Sequence, residues 1–360
     1  MKHKRLLALI LALAMVFALS ACRSAGGNES PSPSAPASAQ PSQEPSQEPS
    51  EEPSAPVADE TTVRLAVLSG PTGIGAAKLL TDSDAGTALG PYEYTIAADN
   101  SELVAGLTGA EPRFDIATVA SNVAVNLYNK TEGGVKIIAL GTLGVLHILE
   151  SGGGDSVNSV ADLAGKTIYS PGQGANPEYV LRYILSENGL DPDKDVQIVF
   201  AEASEITQKL MTGEAEVAML PVPAATAAII KGEGKIRAAL DVTEEWNDLG
   251  TDSQLIMTAV VARAAFLEEH PEAVDTFLTE YAASIAYVNG NVEEAAELIA
   301  TLGITPSAPI ARQAIPQCHL TYIAGKDMAP AITGYYSILW HANPASIGGA
   351  MPDDAIYYVP

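Results

Sequence analysis

The 360-residue sequence has little of what makes cross-links, metal sites or cationic surfaces. Two cysteines, Cys22 and Cys318, exclude a disulfide scaffold. The five histidines (His3, His147, His270, His319 and His341) contain no pair at i, i+4, so no zinc-ligand spacing is present and no metal site is expected. Lys plus Arg number 19 against 44 Asp plus Glu, a formal charge of −25, and such a surface repels a phosphate backbone. Nucleic-acid binding is excluded. The sequence has no G-x-S-x-G nucleophile turn. The segment Gly70-Pro-Thr-Gly73-Ile-Gly75 imitates a dinucleotide fingerprint, with Asp99 at the end of the next strand, but its glycine spacing is not G-x-G-x-x-G. No cofactor and no catalytic residue are therefore assigned. Aromatics make up only 6% of the chain, yet 47% of it is apolar, so a core of small aliphatic side chains is available and wholesale disorder is excluded.

The N-terminus carries a targeting pattern. Three cations precede an apolar run from Leu6 to Leu19, and Ser20-Ala21-Cys22 follow, the three parts of an export signal over residues 1–21. The run is too short for a membrane-spanning helix, which needs about 20 residues. Leu19-Ser20-Ala21-Cys22 resembles a bacterial lipobox, which implies lipidation of Cys22. Residues 22–61 are then a Pro/Ser/Glu-rich linker, with eight prolines and eight serines between Ser30 and Pro56. This composition cannot bury a core, and as a stalk it reaches between about 35 Å coiled and roughly 120 Å extended.

From Thr62 the chain alternates. Val63–Leu68 reads as a buried strand, Ser69–Gly73 as a loop and Ile74–Leu80 as a helix. Strands follow at Tyr92–Ala98, Phe114–Val119 and Val135–Leu140, with helices between them. After Ser151-Gly-Gly-Gly154 the pattern repeats, with strands at Thr167–Tyr169, Val196–Ala201, Glu216–Leu220 and Lys235–Leu240. Alternation of this kind implies mostly parallel sheets flanked by helices. Gln254–Ala262 is one apolar run, after which helices dominate to the C-terminus.

Several segments carry a family resemblance: Phe114-Asp-Ile-Ala117, Ser159-Val-Ala-Asp-Leu-Ala-Gly-Lys-Thr-Ile168, Gly213-Glu-Ala-Glu-Val-Ala218, and Val260 to Glu272 followed by a long helix and Asn291-Val-Glu-Glu-Ala-Ala296. In this order they resemble the substrate-binding lipoproteins of ABC importers, in particular the nitrate, sulfonate, taurine and thiamine-precursor branch. The resemblance implies a two-lobed α/β fold of the type II periplasmic-binding-protein kind. Lobe 1 would comprise residues 62–143 and 255–360, lobe 2 residues 144–246, and a crossover residues 247–254. Gly141-Thr-Leu-Gly144 would be a flexible joint. It also implies an extracytoplasmic, membrane-anchored monomer that captures a small molecule between its lobes, delivers it to an ABC permease and catalyses nothing. A fungal pyrimidine-synthesising relative of this fold depends on a cysteine-rich motif that this chain lacks. The alternatives are a ligand-sensing receptor lipoprotein and a tethered enzyme on the same fold.

In open α/β sheets ligands bind beyond the carboxyl ends of the strands. The candidate ligand-binding residues are therefore Ser69, Gly70, Thr72, Gly73, Ser121, Asn122, Thr142, Gln173, Gly174, Asn176, Tyr179 and Pro221. Helix-opening N–H groups at two of these loops favour an anionic group, while the competing reading makes the glycines turn-formers and the Ser, Thr and Asn residues helix caps. Tyr179, Trp246 and Trp340 are candidates to stack on a flat ring.

Overall fold

Residues 61–251 and 253–360 are described by a computed structural model; the export signal, Cys22 and the linker expected before Thr61 lie outside the described residues. The aliphatic run Val63–Leu68 forms strand β1, and the turn after it opens helix α1, Pro71–Ala85, with Pro71 in the first turn, where its missing N–H costs nothing. Strand β2 (Tyr92–Ala97), helix α2 (Asn100–Thr108), β3 (Ile116–Ala120), α3 (Ser121–Lys130) and β4 (Val135–Thr142) follow. Asp99 caps α2, its carboxylate accepting from the N–H groups of Ser101 and Glu102. That is a helix-cap role and not a ribose ligand.

The next set is β5 (Leu146–Glu150), β6 (Thr167–Ser170), α4 (Asn176–Glu187), β7 (Gln197–Phe200), α5 (Ala203–Thr212), β8 (Val217–Pro221), α6 (Ala224–Lys231), β9 (Arg237–Asp241) and α7 (Val242–Asp248). The chain then returns through β10 (Thr258–Arg263), α8 (Ala264–Glu269), α9 (Pro271–Gly290), α10 (Val292–Thr301), α11 (Ala308–Ala314), β11 (Leu320–Ala324) and α12 (Met328–Ala342). The sequence pattern did not anticipate β5, α7, α11 or β11.

The strands form two mixed sheets. One has the order β11-β4-β10-β3-β1-β2, in which β1 pairs parallel with β2 and β3, while β10 runs antiparallel to β3 and β4, and β11 antiparallel to β4. The other has the order β7-β6-β8-β5-β9, in which β6 pairs parallel with β7 and β8 and only β5 is reversed. The described residues belong to one compact unit. Among them no helix is long and apolar enough to cross a membrane.

Each sheet is covered on both faces, so β1, β3 and β10 are apolar along nearly their whole length. One core runs from the α2, α3 and α12 face of the first sheet to the α4 and α7 face of the second, through Val119, Val123, Ile148, Ile168, Leu240 and Trp246. The opposite faces carry separate cores, one under α1, α9, α10 and α11 and one under α5 and α6. Each fully buried aliphatic side chain contributes about 1.5–3 kcal/mol.

Gly141 and Gly144 lie where the chain first passes between the sheets. Neither has a positive φ. A Cβ at Gly141 would stand 2.7 Å from the Tyr281 hydroxyl, and one at Gly144 2.1 Å from Thr243 Oγ1. Both glycines make room for close approach.

Candidate functional site

Four β-loop-α units point their loops the same way along their sheets: β1 to α1, β3 to α3, β6 to α4 and β8 to α6. In each sheet the two contributing strands are neighbours, β3 beside β1 and β6 beside β8, so the openings of two helices stand side by side. The first-turn N–H groups of a helix have no intrahelical partner and carry its positive dipole end.

Ser121 opens α3 and is completely buried. Its hydroxyl donates to the Ile256 carbonyl at 2.6 Å, its N–H to the Met257 carbonyl at 3.0 Å, and its carbonyl accepts from the Tyr336 hydroxyl at 3.0 Å. Asn176 opens α4 in the second sheet's half and is 1% exposed. Its Nδ2 donates to Ser121 Oγ at 3.0 Å and to the Met257 carbonyl at 2.6 Å, and its Oδ1 accepts from the Tyr335 hydroxyl at 3.0 Å. Asn122 Nδ2 donates to the Gly174 carbonyl at 3.3 Å and to the Ser346 carbonyl at 3.0 Å. Thr142 joins through the backbone, its carbonyl accepting from Met257 N–H at 3.0 Å, and its hydroxyl lies 2.5 Å from that of Thr258. Five of the twelve candidates thus form one cluster drawn from both sheets, with Ser121, Asn122, Thr142 and Asn176 buried and Gly174 at its exposed edge.

The other seven are not hydrogen-bonded into it. Thr72 is buried and turns its hydroxyl back to the Leu68 carbonyl. Gly73 packs against the Leu68 carbonyl and Ile304. Gly70 has φ 101°, a value that suits glycine, while Ser69 and Gln173 are exposed. Pro221 ends β8, opposite Leu146. Tyr179 lines a groove of about 750 Å³ between α4 and α12, with Arg182, Tyr183 and His341. Trp246 is fully buried between Tyr183 and Tyr335, its indole N–H donating to the Ser253 carbonyl at 2.9 Å. It is a core residue, with no ring face left for a ligand. Trp340 is half-buried and meets His341 edge-on.

Met257, Tyr335, Tyr336 and Ser346 belong to the cluster and were missed. They reach it from sites that carry no β-loop-α signal. Thr226, in the first turn of α6, is a further omission: it is 4% exposed and its hydroxyl has no partner, as is true of Asn122 Oδ1. A buried polar atom without a partner costs stability and marks a place where a ligand or water is wanted.

The cations around these loops are already engaged. Arg64 and Arg263 both bridge Asp115, Lys78 bridges Asp82, Arg182 bridges Glu178 and Asp193, and Arg237 bridges Glu150. Burial pushes the Asp115 carboxyl up, but its bonds from Arg64 and Arg263 outweigh this and hold it below its ordinary value. The arrangement therefore offers neutral hydrogen-bonding groups and helix openings. Among the described residues no group of His, Cys, Asp and Glu side chains could hold a metal ion.

Residues 116–295 match the profile of the family described as NMT1/THI5 like. The chain belongs to that family. The match runs from β3 into the first turn of α10 and so takes in Ser121, Asn122, Thr142, Asn176 and Met257. No curated protein matches this NMT1/THI5-like chain in sequence. Among solved structures, an ABC transporter protein from Parabacteroides distasonis superposes with a TM-score of 0.66 at 21% identity, over 83% of this chain and 99% of that one. The periplasmic aliphatic sulphonate binding protein SsuA from Escherichia coli gives 0.63 at 16% identity, over 83% and 92%. The periplasmic nitrate-binding protein NrtA from Synechocystis PCC 6803 gives 0.54 at 15% identity, over 74% of each. These likenesses give the NMT1/THI5-like chain the periplasmic-binding-protein fold.

Proposed function

We propose that this chain is the extracytoplasmic solute-binding component of an ABC importer, taking a small polar molecule between two lobes and delivering it to a permease. The observation that carries this reading is the convergence of α3 and α4, which open from different sheets, on one buried hydrogen-bonding cluster. Lobe 1 is residues 62–143 with 255–360 and lobe 2 is residues 144–246. The division of strands between the two sheets supports this partition. Ligand favours the closed form because only there do both lobes touch it.

The site residues are Ser121, Asn122, Asn176 and Thr226, with Ser69, Thr72 and Gln173 at its rim. Among the described residues, Arg64, Lys78, Arg182, Arg237 and Arg263 near these loops are paired with carboxylates, so the ligand is held by neutral donors and by the N–H groups opening α1, α3, α4 and α6, an arrangement suited to a neutral polar solute or a small oxyanion. The role is binding without turnover. Lipidation of Cys22 tethers a monomeric chain outside the cell membrane, and the proline-rich stalk gives it reach.

The test is a thermal-shift screen of the full chain against sulfonates, nitrate, pyrimidines, amino acids and flavin-type molecules. A ligand at 100 times its dissociation constant adds about 2.7 kcal/mol of stability. Folded protein indifferent to every class would overturn the reading, and product appearing from a bound candidate would replace it with an enzymatic one.

A further inference from the structure

We infer that the proposed site selects for a hydrogen-bond donor on its ligand, with Asn122 Oδ1 as the acceptor that reads it, and that it turns away acceptor-only anions such as nitrate and unsubstituted alkanesulfonates. This selectivity rests on the reading of the α3 and α4 openings as a solute site, and it narrows the solute's class.

A carboxamide has two N–H donors and one oxygen, which only accepts. Both donors of Asn122 are committed, to the Gly174 carbonyl at 3.3 Å and to the Ser346 carbonyl at 3.0 Å. Neither partner can donate, so turning the carboxamide over would set Oδ1 against two carbonyl oxygens. The hydrogen-bond network thus fixes its orientation. Asn122 is completely buried, and its Oδ1 has no partner. The carboxamide stands between the two helix openings, since Asn122 lies in the first turn of α3 and Gly174 in the loop that leads into α4.

Comparable asparagines nearby are complete or wet. Asn126 and Asn129, one and two turns further along α3, donate to the carbonyls of Ser346, Ile347 and Ala350, but both are only half-buried, so water reaches them. Asn176, which opens α4, is as buried as Asn122, and its Oδ1 accepts from the Tyr335 hydroxyl at 3.0 Å. Of these four, Asn122 is the one both buried and unfinished. A buried acceptor left without a donor costs stability. A ligand that brings the donor recovers that cost, whereas one that offers only oxygens sets lone pairs against lone pairs. The Thr226 hydroxyl, also unpartnered, either donates or accepts and so does not decide the class. Arg182 of α4 is held by Glu178 and Asp193 and is not free to draw in an anion. The chemistry that fits is a small polar molecule with an N–H or O–H group beside its acceptor: an amide, or a hydroxy or amino acid.

Matched probes test this on the full chain by titration calorimetry: ethanesulfonate against isethionate, which adds a hydroxyl, and taurine, which adds an ammonium; acetate against hydroxyacetate; and N,N-dimethylacetamide against acetamide. Within each set the members differ in the donor. The donor-bearing members are expected to bind about 10- to 100-fold more tightly than their acceptor-only counterparts, with nitrate among the weakest. Asn122→Ala should bring the ratio within each set towards one, whereas a merely structural role would weaken all members alike and leave the ratio as it was. Should that variant not fold, Asn122→Asp keeps the shape and strengthens acceptance, so the preference for taurine over ethanesulfonate should widen. A ratio near one in the unsubstituted chain, or a ratio unchanged in a folded variant, would overturn the inference and leave solute binding standing. Failure of every probe to bind, here and in the wider solute screen, would overturn the solute-site reading and this selectivity with it.

Discussion

Glu150 ends the reversed strand of the second sheet with its side chain 4% exposed, bound by Arg237 at 2.7 Å and by the Ser156 hydroxyl and N–H at 2.6 and 2.9 Å. Burial would raise its carboxyl, yet the Ser156 and Arg237 bonds prevail and lower it from 4.5 to about 2. A carboxylate depressed on folding contributes stability that is complete above its unfolded value and is lost as pH falls through its folded one. Glu150→Gln should therefore cost about 1–3 kcal/mol at pH 7, the range for a buried group whose charged partner is left unmatched. The gap between variant and parent should close as pH falls from about 4.5 towards 2. Urea midpoints of both chains at pH 7 and pH 3 decide it; a gap that stays constant contradicts the argument.

Most elements were legible because their periods are local. Val63–Leu68 and Tyr92–Ala97 sit where alternation and spacing put them. β5 was hidden because its five residues, Leu-His-Ile-Leu-Glu, are all buried while two are polar. Glu150 is tolerated there through Arg237, a partner that a local pattern does not reveal. α7 follows directly from β9, with the Asp241 carboxylate capping it through Thr243 N–H, so one residue closes a strand and opens a helix. Gly144 also has a steric role, since Thr243 at the start of α7 packs where its side chain would be. Gly144→Ala is accordingly expected to destabilise by about 1–3 kcal/mol, as overpacking does. Adding Thr243→Ala, which removes the atom in the way, should restore part of the loss. The same penalty with and without the second substitution, in urea unfolding, would count against a steric role.

At the scale of the molecule, the hydrogen-bonded cluster of the candidate site was half legible. The loops after β1, β3, β6 and β8 follow from strand–loop–helix order, whereas the partners of Asn176 at Met257 and Tyr335 lie 81 and 159 residues away and are brought in only by the return of the chain. The charge was plain from the start, and the structure explains how it is carried. Many of the described cations are spent on particular carboxylates, two of them on Asp115 alone, and surplus acid lies on exposed surfaces such as Glu268, Glu269 and Glu294. Like charges spread over a compact surface repel, and salt screens them, the Debye length falling from about 30 Å at 0.01 M to about 3 Å at 1 M. Exposed ion pairs such as Lys194 with Asp191 weaken over the same range, but each contributes little in water. With 44 acids against 19 cations in the chain, relief of repulsion outweighs loss of pairing. The melting temperature of the full chain should therefore rise with sodium chloride between those two concentrations; a fall would mean that the paired cations, and not the surplus acids, dominate the electrostatics of the fold.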